Sequence, residues 1–410
     1  MLVEFEYWWL LILPLFFTLG WIAARVDIKQ LIAESTSLPA TYFKGLNLLI
    51  ADQYHKAVDA FSEALYLNKD SLELHFVLGS LFRRTGETDR AIHLHMNLLE
   101  NYELTDQQST SIKVELAQDY FKAGLYDRAE ELFLTLRHTR YEQAALRHLL
   151  EIYVKEREWS QAITIAIELE RSSGISYRKE VAQYYCELAA NAMISQDWAH
   201  AKTQLEQALD ANKNCVRANV LLGDIAAQQG HHTDAIAFWK RIEMQSPEHL
   251  GLVAQKMLKS YALLYGEADA ETNHKVGKGL GEGLNQLHQY LETYQISSIM
   301  SVLYEATLQT EGAEKAAKLA RNELIRKPSL KSLDQLLQAR AMQDDAQHDL
   351  QLMQQTVRNA IGDRAAYYCD QCGFRAKQYH WQCPACNAWE SLPPEPTEAT
   401  IRDIKLLKRK

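Results

Sequence analysis

Three patterns of hydrophobic and polar positions divide this chain of 410 residues. Residues 7–24 carry no charge and are mostly apolar. From about residue 38, apolar and small residues recur at helical spacing in units near 34 residues. Near the C-terminus, aromatic residues are interleaved with four cysteines. The predicted segments are a transmembrane anchor (1–25), a juxtamembrane linker (26–37), a tetratricopeptide-repeat array (38–362), a rubredoxin-like knuckle domain (365–392) and a basic tail (393–410).

The apolar run at the N-terminus is long enough to cross a membrane. Residues 7–24 form about 27 Å of helix at 1.5 Å per residue, close to the roughly 30 Å hydrocarbon core. Glu4 and Glu6 precede the run where a cleaved signal peptide would carry basic residues. Arg25 and Lys29 follow it, so the positive-inside rule places the rest of the chain in the cytoplasm. We expect a retained single-pass anchor.

The repeats are recognised by alanines at one recurring position. These alanines are spaced 34, 38, 33, 39 and 34 residues apart, and a weaker unit lies near 297–330. They are Ala57, Ala91, Ala129, Ala162, Ala201 and Ala235. Small residues let paired helices approach closely, and one hairpin cannot bury its apolar face without its neighbours. The sequence therefore predicts an all-α fold, a tetratricopeptide superhelix. The glycine-rich segment 277–283 lacks the phosphate-loop pattern and is predicted to be a flexible interruption.

The first helix of each repeat presents basic and aromatic residues at the positions that line the inner face of such an array. They are Arg83, Arg84, Lys122, Arg147, Lys155 and Arg217, with Tyr42, Phe76 and Phe121. One interpretation is a groove for an acidic or aromatic-bearing segment of a partner protein, with charge steering the encounter. The other is a solvated polar face. The sequence leaves both open.

The C-terminal cysteines have the spacing of a structural metal site. Cys369, Cys372, Cys383 and Cys386 form two Cys-x-x-Cys pairs, each of which can present both thiolates to one ion from a tight turn. Gly373 follows the first pair and tolerates the positive φ that such a turn needs, as Asn387 does after the second. Four thiolates close a tetrahedral site, most simply around Zn²⁺, with iron as the alternative. A domain of about 28 residues needs the metal to fold, and its exposed aromatic residues are expected to dock on the array.

Charge and motifs exclude several classes of function. The formal net charge of −9 argues against a general nucleic-acid binder. The common hydrolase, zinc-protease and dinucleotide motifs are absent from the sequence, so we predict that the protein is not an enzyme. Histidines in the repeats lack nearby carboxylate or cysteine partners at ligand spacing, so surface or packing roles are expected for them; they are His93, His95, His231 and His232. Cys186 and Cys215 are expected to be small buried apolar residues.

Four stretches resemble one known family. They are LGSLFRRTGETDRAIHLH (78–95), AGLYDRAE (123–130), YYCELA (184–189) and YYCDQCGF…HWQCPACNAW (367–389). With the anchor, the repeats and the knuckle domain, they resemble lipopolysaccharide assembly protein B of Gram-negative bacteria. Fewer basic residues follow the apolar run than in that family, and the resemblance does not explain the basic tail, which could touch anionic lipid or simply be solvated.

The resemblance implies a non-enzymatic adaptor in the bacterial inner membrane. Such proteins organise lipopolysaccharide assembly enzymes and bring the deacetylase that commits lipid A synthesis to the membrane AAA+ protease FtsH. An inner-membrane protein that senses lipopolysaccharide antagonises this degradation. A homodimer is also compatible with the sequence. Two other functions remain open from the residues alone: a rubredoxin-like electron carrier, and a periplasmic repeat-protein assembly factor.

Overall fold

The computed structural model describes residues 17–18, 20–21, 40–68, 71–264, 278–343, 347–362 and 366–395. Most of the predicted anchor, the linker 26–37 and the tail beyond residue 395 lie outside these residues, so the predictions for them stay predictions. Within the described ranges, no helix combines the length and the apolar character needed to cross a membrane. The chain divides into two compact units, Met1–Glu156 (unit 1) and Arg157–Lys410 (unit 2).

Unit 1 is built from helices that pack in sequence order. The helices are α1 (Ala40–Ile50), α2 (Tyr54–Leu67), α3 (Leu72–Thr85), α4 (Thr88–Asn101), α5 (Asp106–Ala123), α6 (Tyr126–Thr135) and α7 (Glu142–Glu156). The connections between helices are short. This arrangement of successive helical hairpins is the one that the repeat period predicts.

Unit 2 continues the same helical pattern and ends in a small β-hairpin. Its helices are α8 (Trp159–Ser173), α9 (Arg178–Ile194), α10 (Trp198–Ala211), α11 (Val216–Gln228), α12 (His232–Lys240), α13 (Ile242–Gln245), a 3₁₀ turn (Pro247–His249), α14 (Leu250–Leu264), α15 (Lys278–Tyr294), α16 (Ser297–Thr310), α17 (Ala313–Arg326), α18 (Leu330–Ala341) and α19 (Gln347–Gly362). The strands β1 (Tyr367–Tyr368) and β2 (Arg375–Ala376) are antiparallel, with Tyr367 opposite Ala376.

Three of the repeat hairpins close on a glycine that faces a large ring side chain sixteen residues later. A Cβ built on Gly79 would lie 2.3 Å from the His95 ring, and one on Gly223 would lie 2.2 Å from the Trp239 ring. These distances are far below van der Waals contact, so only glycine fits. Gly45 meets Phe61 in the same way at 2.7 Å. The small residues of the repeat pattern therefore set the distance between the two helices of a hairpin.

The glycine-rich segment does not interrupt the helices where the structure describes it. Helix α15 begins at Lys278 and runs through Gly281 and Gly283. A Cβ on Gly283 would lie 3.0 Å from both Leu258 and Tyr261 of α14. The prediction of a flexible interruption is therefore wrong for residues 278–283. There the glycines bring α15 close to α14.

The contact between Gly223 and Trp239 predicts a large effect for a single methyl group. Gly223→Ala should lower the free energy of unfolding by about 1 to 3 kcal/mol, because the buried indole must move or strain the helices. Gly281→Ala is the matched control, since its Cβ would meet nothing within 4 Å. In a helix it should be neutral or stabilise by about 0.5 to 1 kcal/mol. Urea unfolding followed by circular dichroism compares the two. Equal midpoints would contradict the packing argument.

Candidate functional site

Two turns of the same construction hold the four cysteines. In the first, the Gly373 amide donates to the Cys369 carbonyl at 2.8 Å, and the Cys369 amide donates to the Phe374 carbonyl at 2.9 Å. In the second turn, the Asn387 amide donates to the Cys383 carbonyl and the Cys383 amide donates to the Ala388 carbonyl, each at 2.9 Å. Gly373 has φ +72° and Asn387 has φ +58°, as the sequence predicted. Each turn directs two sulfurs toward the other turn.

The four sulfurs have the spacing of a tetrahedral metal site. All four lie within 4.8 Å of one another. The Cys369–Cys386 and Cys372–Cys383 sulfur pairs are both 3.7 Å apart. A tetrahedron with metal–sulfur bonds of about 2.3 Å has edges of about 3.8 Å. The residues therefore fit a single thiolate-bound ion, either Zn²⁺ or iron. When bound, the ion would cross-link the two turns and would have no open coordination position for a substrate.

The ligand cysteines differ in their surroundings. Cys369 and Cys383 are buried, whereas Cys372 and Cys386 are exposed. Burial opposes ionisation of Cys369, but its contact with the Ser391 hydroxyl and the hydrogen bonds from the backbone amides of Cys372 and Gln371 lower its pKa to about 6. Hydrogen bonds to a charged form favour that form. Cys369 is therefore well prepared to be a thiolate ligand.

The metal-binding domain, residues 366–395, is seated on the helices of unit 2 through Trp389. Its indole meets the Trp159 ring at 6.3 Å and the Tyr184 ring at 6.2 Å, both edge-to-face. The Arg217 guanidinium lies 5.7 Å from the Trp389 ring centre. Beside it, the Gln183 amide donates to the Glu390 carboxylate at 2.7 Å. Aromatic contacts and one polar bond thus fix this edge of the domain.

Two further contacts hold the domain at its other edges. Trp381 stacks on His249, with ring centres 5.7 Å apart and planes within 4°. The Glu395 carboxylate accepts hydrogen bonds from the Ser297 amide at 3.0 Å and the Ser298 hydroxyl at 2.8 Å, at the N-terminus of α16. A carboxylate is stabilised at that helix end. The domain therefore has little freedom to leave the helices.

Known proteins match both parts of the chain. The rubredoxin metal binding domain model matches residues 367–394, and a tetratricopeptide repeat model matches residues 186–248. Lipopolysaccharide assembly protein B of Escherichia coli (strain K12) is 31% identical over 389 residues, which cover 94% of this chain and 97% of that protein. The chain belongs to the lipopolysaccharide assembly protein B family.

A second relative supports the assignment. Lipopolysaccharide assembly protein B of Haemophilus influenzae (strain Rd) is 29% identical over 401 residues, with the same coverage of 94% and 97%. Among solved structures, a repeat-containing protein of Cytophaga hutchinsonii is 14% identical over 64% of this chain and 99% of that one, with a TM-score of 0.35. The resemblance seen in the sequence is confirmed by the relatives rather than by that structure.

The cations predicted at the inner face differ from one another in their surroundings. Arg217 pairs with Glu187 at 2.8 Å and faces the metal-binding domain, so it holds that domain rather than an open groove. In unit 1, the Lys155 ammonium lies 4.3 Å from the Phe121 ring centre and 5.5 Å from the Tyr126 ring centre. Arg84 lies 4.8 Å from the Tyr54 ring centre. Lys122 and Arg147 are exposed, and Tyr42 and Phe76 are half-buried.

The structure brings the predicted residues Phe121 and Lys155 together with Tyr126 and His148, in a group that we call the aromatic–lysine cluster. The His148 ring centre is 5.3 Å from that of Phe121, and the ring stacks on Phe133 at 4.9 Å. Burial lowers the pKa of His148. The sequence reasoning missed Tyr126 and His148, because neither occupies an inner-face position. Whether the predicted groove residues bind a partner stays a prediction.

Arg83 belongs to a buried ion cluster, formed with His95, Glu115 and Asp119. Its guanidinium meets Asp119 at 2.6 Å and Glu115 at 2.7 Å. The second Asp119 oxygen bonds His95 Nδ1, and both of these side chains are fully buried. His95 thus has the buried packing role that the sequence favoured, and it also has a carboxylate partner that the sequence did not predict. The partner lies 24 residues away on α5, beyond any local pattern.

The remaining two cysteines behave as expected. Cys186 and Cys215 are fully buried, and their sulfurs are 3.8 Å apart between α9 and α11. Gln183, which bonds Glu390 of the metal-binding domain, also contacts the Cys215 sulfur at 3.8 Å. They are part of the helix packing beneath the seat of that domain.

The buried ion cluster predicts that the stability of the fold depends strongly on Asp119. Asp119→Ala should reduce stability by about 3 to 5 kcal/mol, because it leaves Arg83 and His95 without their shared carboxylate in a buried site. Asp89→Ala, an exposed change on α4, should stay within about 0.5 kcal/mol of wild type. Chemical unfolding of the full chain measures both. A small loss of stability in Asp119→Ala would contradict the prediction and show that the ion pairs of the cluster are not needed for folding.

The sulfur geometry predicts that only the cysteines of the two turns hold metal. Cys383→Ser should abolish stoichiometric metal binding and make residues 366–395 sensitive to protease, because metal supplies most of the folding free energy of so small a domain. Cys215→Ser changes an equally buried cysteine and should retain one metal ion per chain. Elemental analysis and limited proteolysis compare them. Metal retained at wild-type affinity in Cys383→Ser would refute the four-thiolate site.

Proposed function

We propose that this protein is a non-enzymatic adaptor in the bacterial inner membrane that regulates lipopolysaccharide synthesis. In this role it presents the lipid A-committing deacetylase to an FtsH-type protease and organises assembly enzymes. A lipopolysaccharide-sensing inner-membrane protein would antagonise it. The observation that carries the proposal is the match to proteins named for lipopolysaccharide assembly over 94% of the chain. The bulk of the chain would lie in the cytoplasm.

The chemistry of the metal centre supports a scaffold rather than an enzyme. Four cysteine sulfurs arranged around one point leave no coordination position for a substrate. Zn²⁺ is the ion we propose, because it suits a closed thiolate site and has no redox chemistry. Its contribution would be to hold the two turns together. The domain can then stay seated on α8, α9 and α11.

The partner surface that we propose lies in unit 1. In unit 2, the metal-binding domain already contacts Gln183 and Arg217, which occupy equivalent positions of successive repeats. In unit 1, the aromatic–lysine cluster places the Lys155 ammonium beside two aromatic rings at the predicted inner face. Such a surface suits an acidic segment that also carries an aromatic side chain. This is the first of the two interpretations of these residues that the sequence left open.

The anchor would raise the local concentration of both partners. If residues 1–25 cross the membrane, adaptor and protease share one surface and meet without a new contact. A modest affinity for the client is then sufficient. This fits a surface of exposed cations, each of which contributes little by itself.

Exposure of Cys372 and Cys386 favours one alternative, a rubredoxin-like electron carrier. Electron transfer needs a redox-active ion near the surface, and iron can occupy the same four thiolates. The alternative predicts a coloured protein that bleaches reversibly on reduction. A colourless, zinc-loaded protein would exclude it.

Charge reversal in the proposed partner surface tests the adaptor role. Lys122→Glu combined with Lys155→Glu should weaken client binding about tenfold or more, or about 1.4 kcal/mol, since each change replaces attraction to an acidic segment by repulsion. In cells lacking their own copy, this variant should lengthen the lifetime of the deacetylase, measured by immunoblot after protein synthesis is stopped. Lys56→Glu, an exposed change on α2, should complement fully. Normal deacetylase turnover with the double variant would contradict the proposed surface, and normal turnover without the protein would contradict the adaptor role.

A further inference from the structure

Ser391 is a buried hydroxyl placed between the metal site and the seat of the domain. Its Oγ lies 3.3 Å from the Cys369 sulfur and 3.1 Å from the Ala388 carbonyl. Its own carbonyl accepts from the Asp370 amide at 2.9 Å. Ser391 directly follows Trp389 and Glu390, the two residues that hold the domain on the helices. It therefore connects that contact to a ligand.

The Cys369 sulfur has more hydrogen-bond donors around it than the sulfurs of Cys372 and Cys386. Backbone amides of Gln371 and Cys372 point to it. By contrast, the Phe374 amide serves Cys372 and the Ala388 amide serves Cys386. Within the described part of the chain, Ser391 has the one hydroxyl that bonds a ligand sulfur. The additional hydroxyl can stabilise the negative charge of the Cys369 thiolate.

The Ser391 hydroxyl has one proton and two acceptors. With Cys369 protonated, the thiol can donate to Ser391 Oγ while the hydroxyl donates to the Ala388 carbonyl. A metal-bound thiolate has no proton to give. The hydroxyl must then turn to the sulfur, or its lone pair faces a negative charge. Donation to a thiolate is favoured because hydrogen bonds to charged groups are stronger than neutral ones.

We propose that Ser391 is a positioning residue for the metal ion, whose hydroxyl donates to the Cys369 thiolate and slows release of the ion. The contacts of Trp389 and Glu390 with the helices hold this hydroxyl in place. Retention of the metal is thereby coupled to docking of the domain. The inference rests on the four-cysteine site and does not depend on the proposed partners. Outer hydrogen bonds of this kind tune metal affinity in other proteins.

Zinc release from the full-length protein tests the hydroxyl. The zinc-loaded chain is mixed with excess 4-(2-pyridylazo)resorcinol, and the coloured complex is followed over time. Ser391→Ala should release zinc about tenfold faster than wild type, the range found for lost outer-shell bonds. Ser391→Thr keeps the hydroxyl and should stay close to wild type. Gln378→Ala, an exposed change in the same domain, is the control for altered surface.

Threonine and valine separate the hydrogen bond from packing. Ser391→Thr and Ser391→Val have nearly equal volume and differ in the hydroxyl. Faster zinc release from Ser391→Val than from Ser391→Thr supports the proposal, and equal rates of release overturn it. The same pair decides the matter if Ser391→Ala cannot be loaded. Cobalt-substituted protein gives a second readout, since the sulfur-to-cobalt charge-transfer band should shift in Ser391→Val and not in Ser391→Thr. An unchanged band in both variants would count against the hydroxyl.

Coupling to docking is tested by removing the Gln183–Glu390 bond. Gln183→Ala should speed zinc release in the wild-type background and have little further effect in Ser391→Ala. Equal acceleration in both backgrounds would show that docking and the hydroxyl act independently, which overturns the coupling. Circular dichroism confirms that the helices remain folded in each variant.

Discussion

Close approach of paired helices is the constraint on which the rest of this structure depends. In three hairpins a glycine faces a ring sixteen residues later, as in Gly79 with His95 and Gly223 with Trp239, and this contact fixes the spacing of the two helices. Because a hairpin cannot bury its apolar face without its neighbours, that spacing is repeated along the chain. Repetition in turn places equivalent positions of successive first helices near one another. Gln183 and Arg217 are such a pair, and they provide the seat of the metal-binding domain.

The metal-binding domain depends on that seat because its own core is small. Its buried apolar residues are Cys369, Ala376, Cys383 and Leu392, with Tyr367, Phe374 and Tyr379 partly buried against them. So little apolar surface cannot offset the conformational entropy of an ordered segment. Two additional sources of stability are present: thiolates positioned for an ion, and the docked rings of Trp389 and Trp381. Metal and docking stabilise the same segment, so loss of either weakens the other.

Local patterns in the sequence predict the local features of the fold and site. The repeat alanines predict the hairpins, and the Cys-x-x-Cys pairs predict both the sulfur tetrahedron and the positive φ of Gly373 and Asn387. Contacts between distant residues were not predictable. Gln183 and Glu390 are 207 residues apart, and neither has a local signal for the other. The glycines of α15 were wrongly predicted to be a flexible interruption, because their close contact with α14 cannot be seen in the segment alone.

The described inner-face residues divide into those already used by the fold and those that remain accessible. Arg83 and Arg217 have exposed fractions of 15% and 11% and are held by carboxylates, so an incoming partner would have to break an ion pair to use them. Lys155 is more accessible, and its ring contacts limit the conformations that it must give up on binding. Its pairing with Glu151 at 3.1 Å means that a partner carboxylate competes with an existing one. Such a surface would give selectivity with modest affinity, which suits the proposed adaptor role.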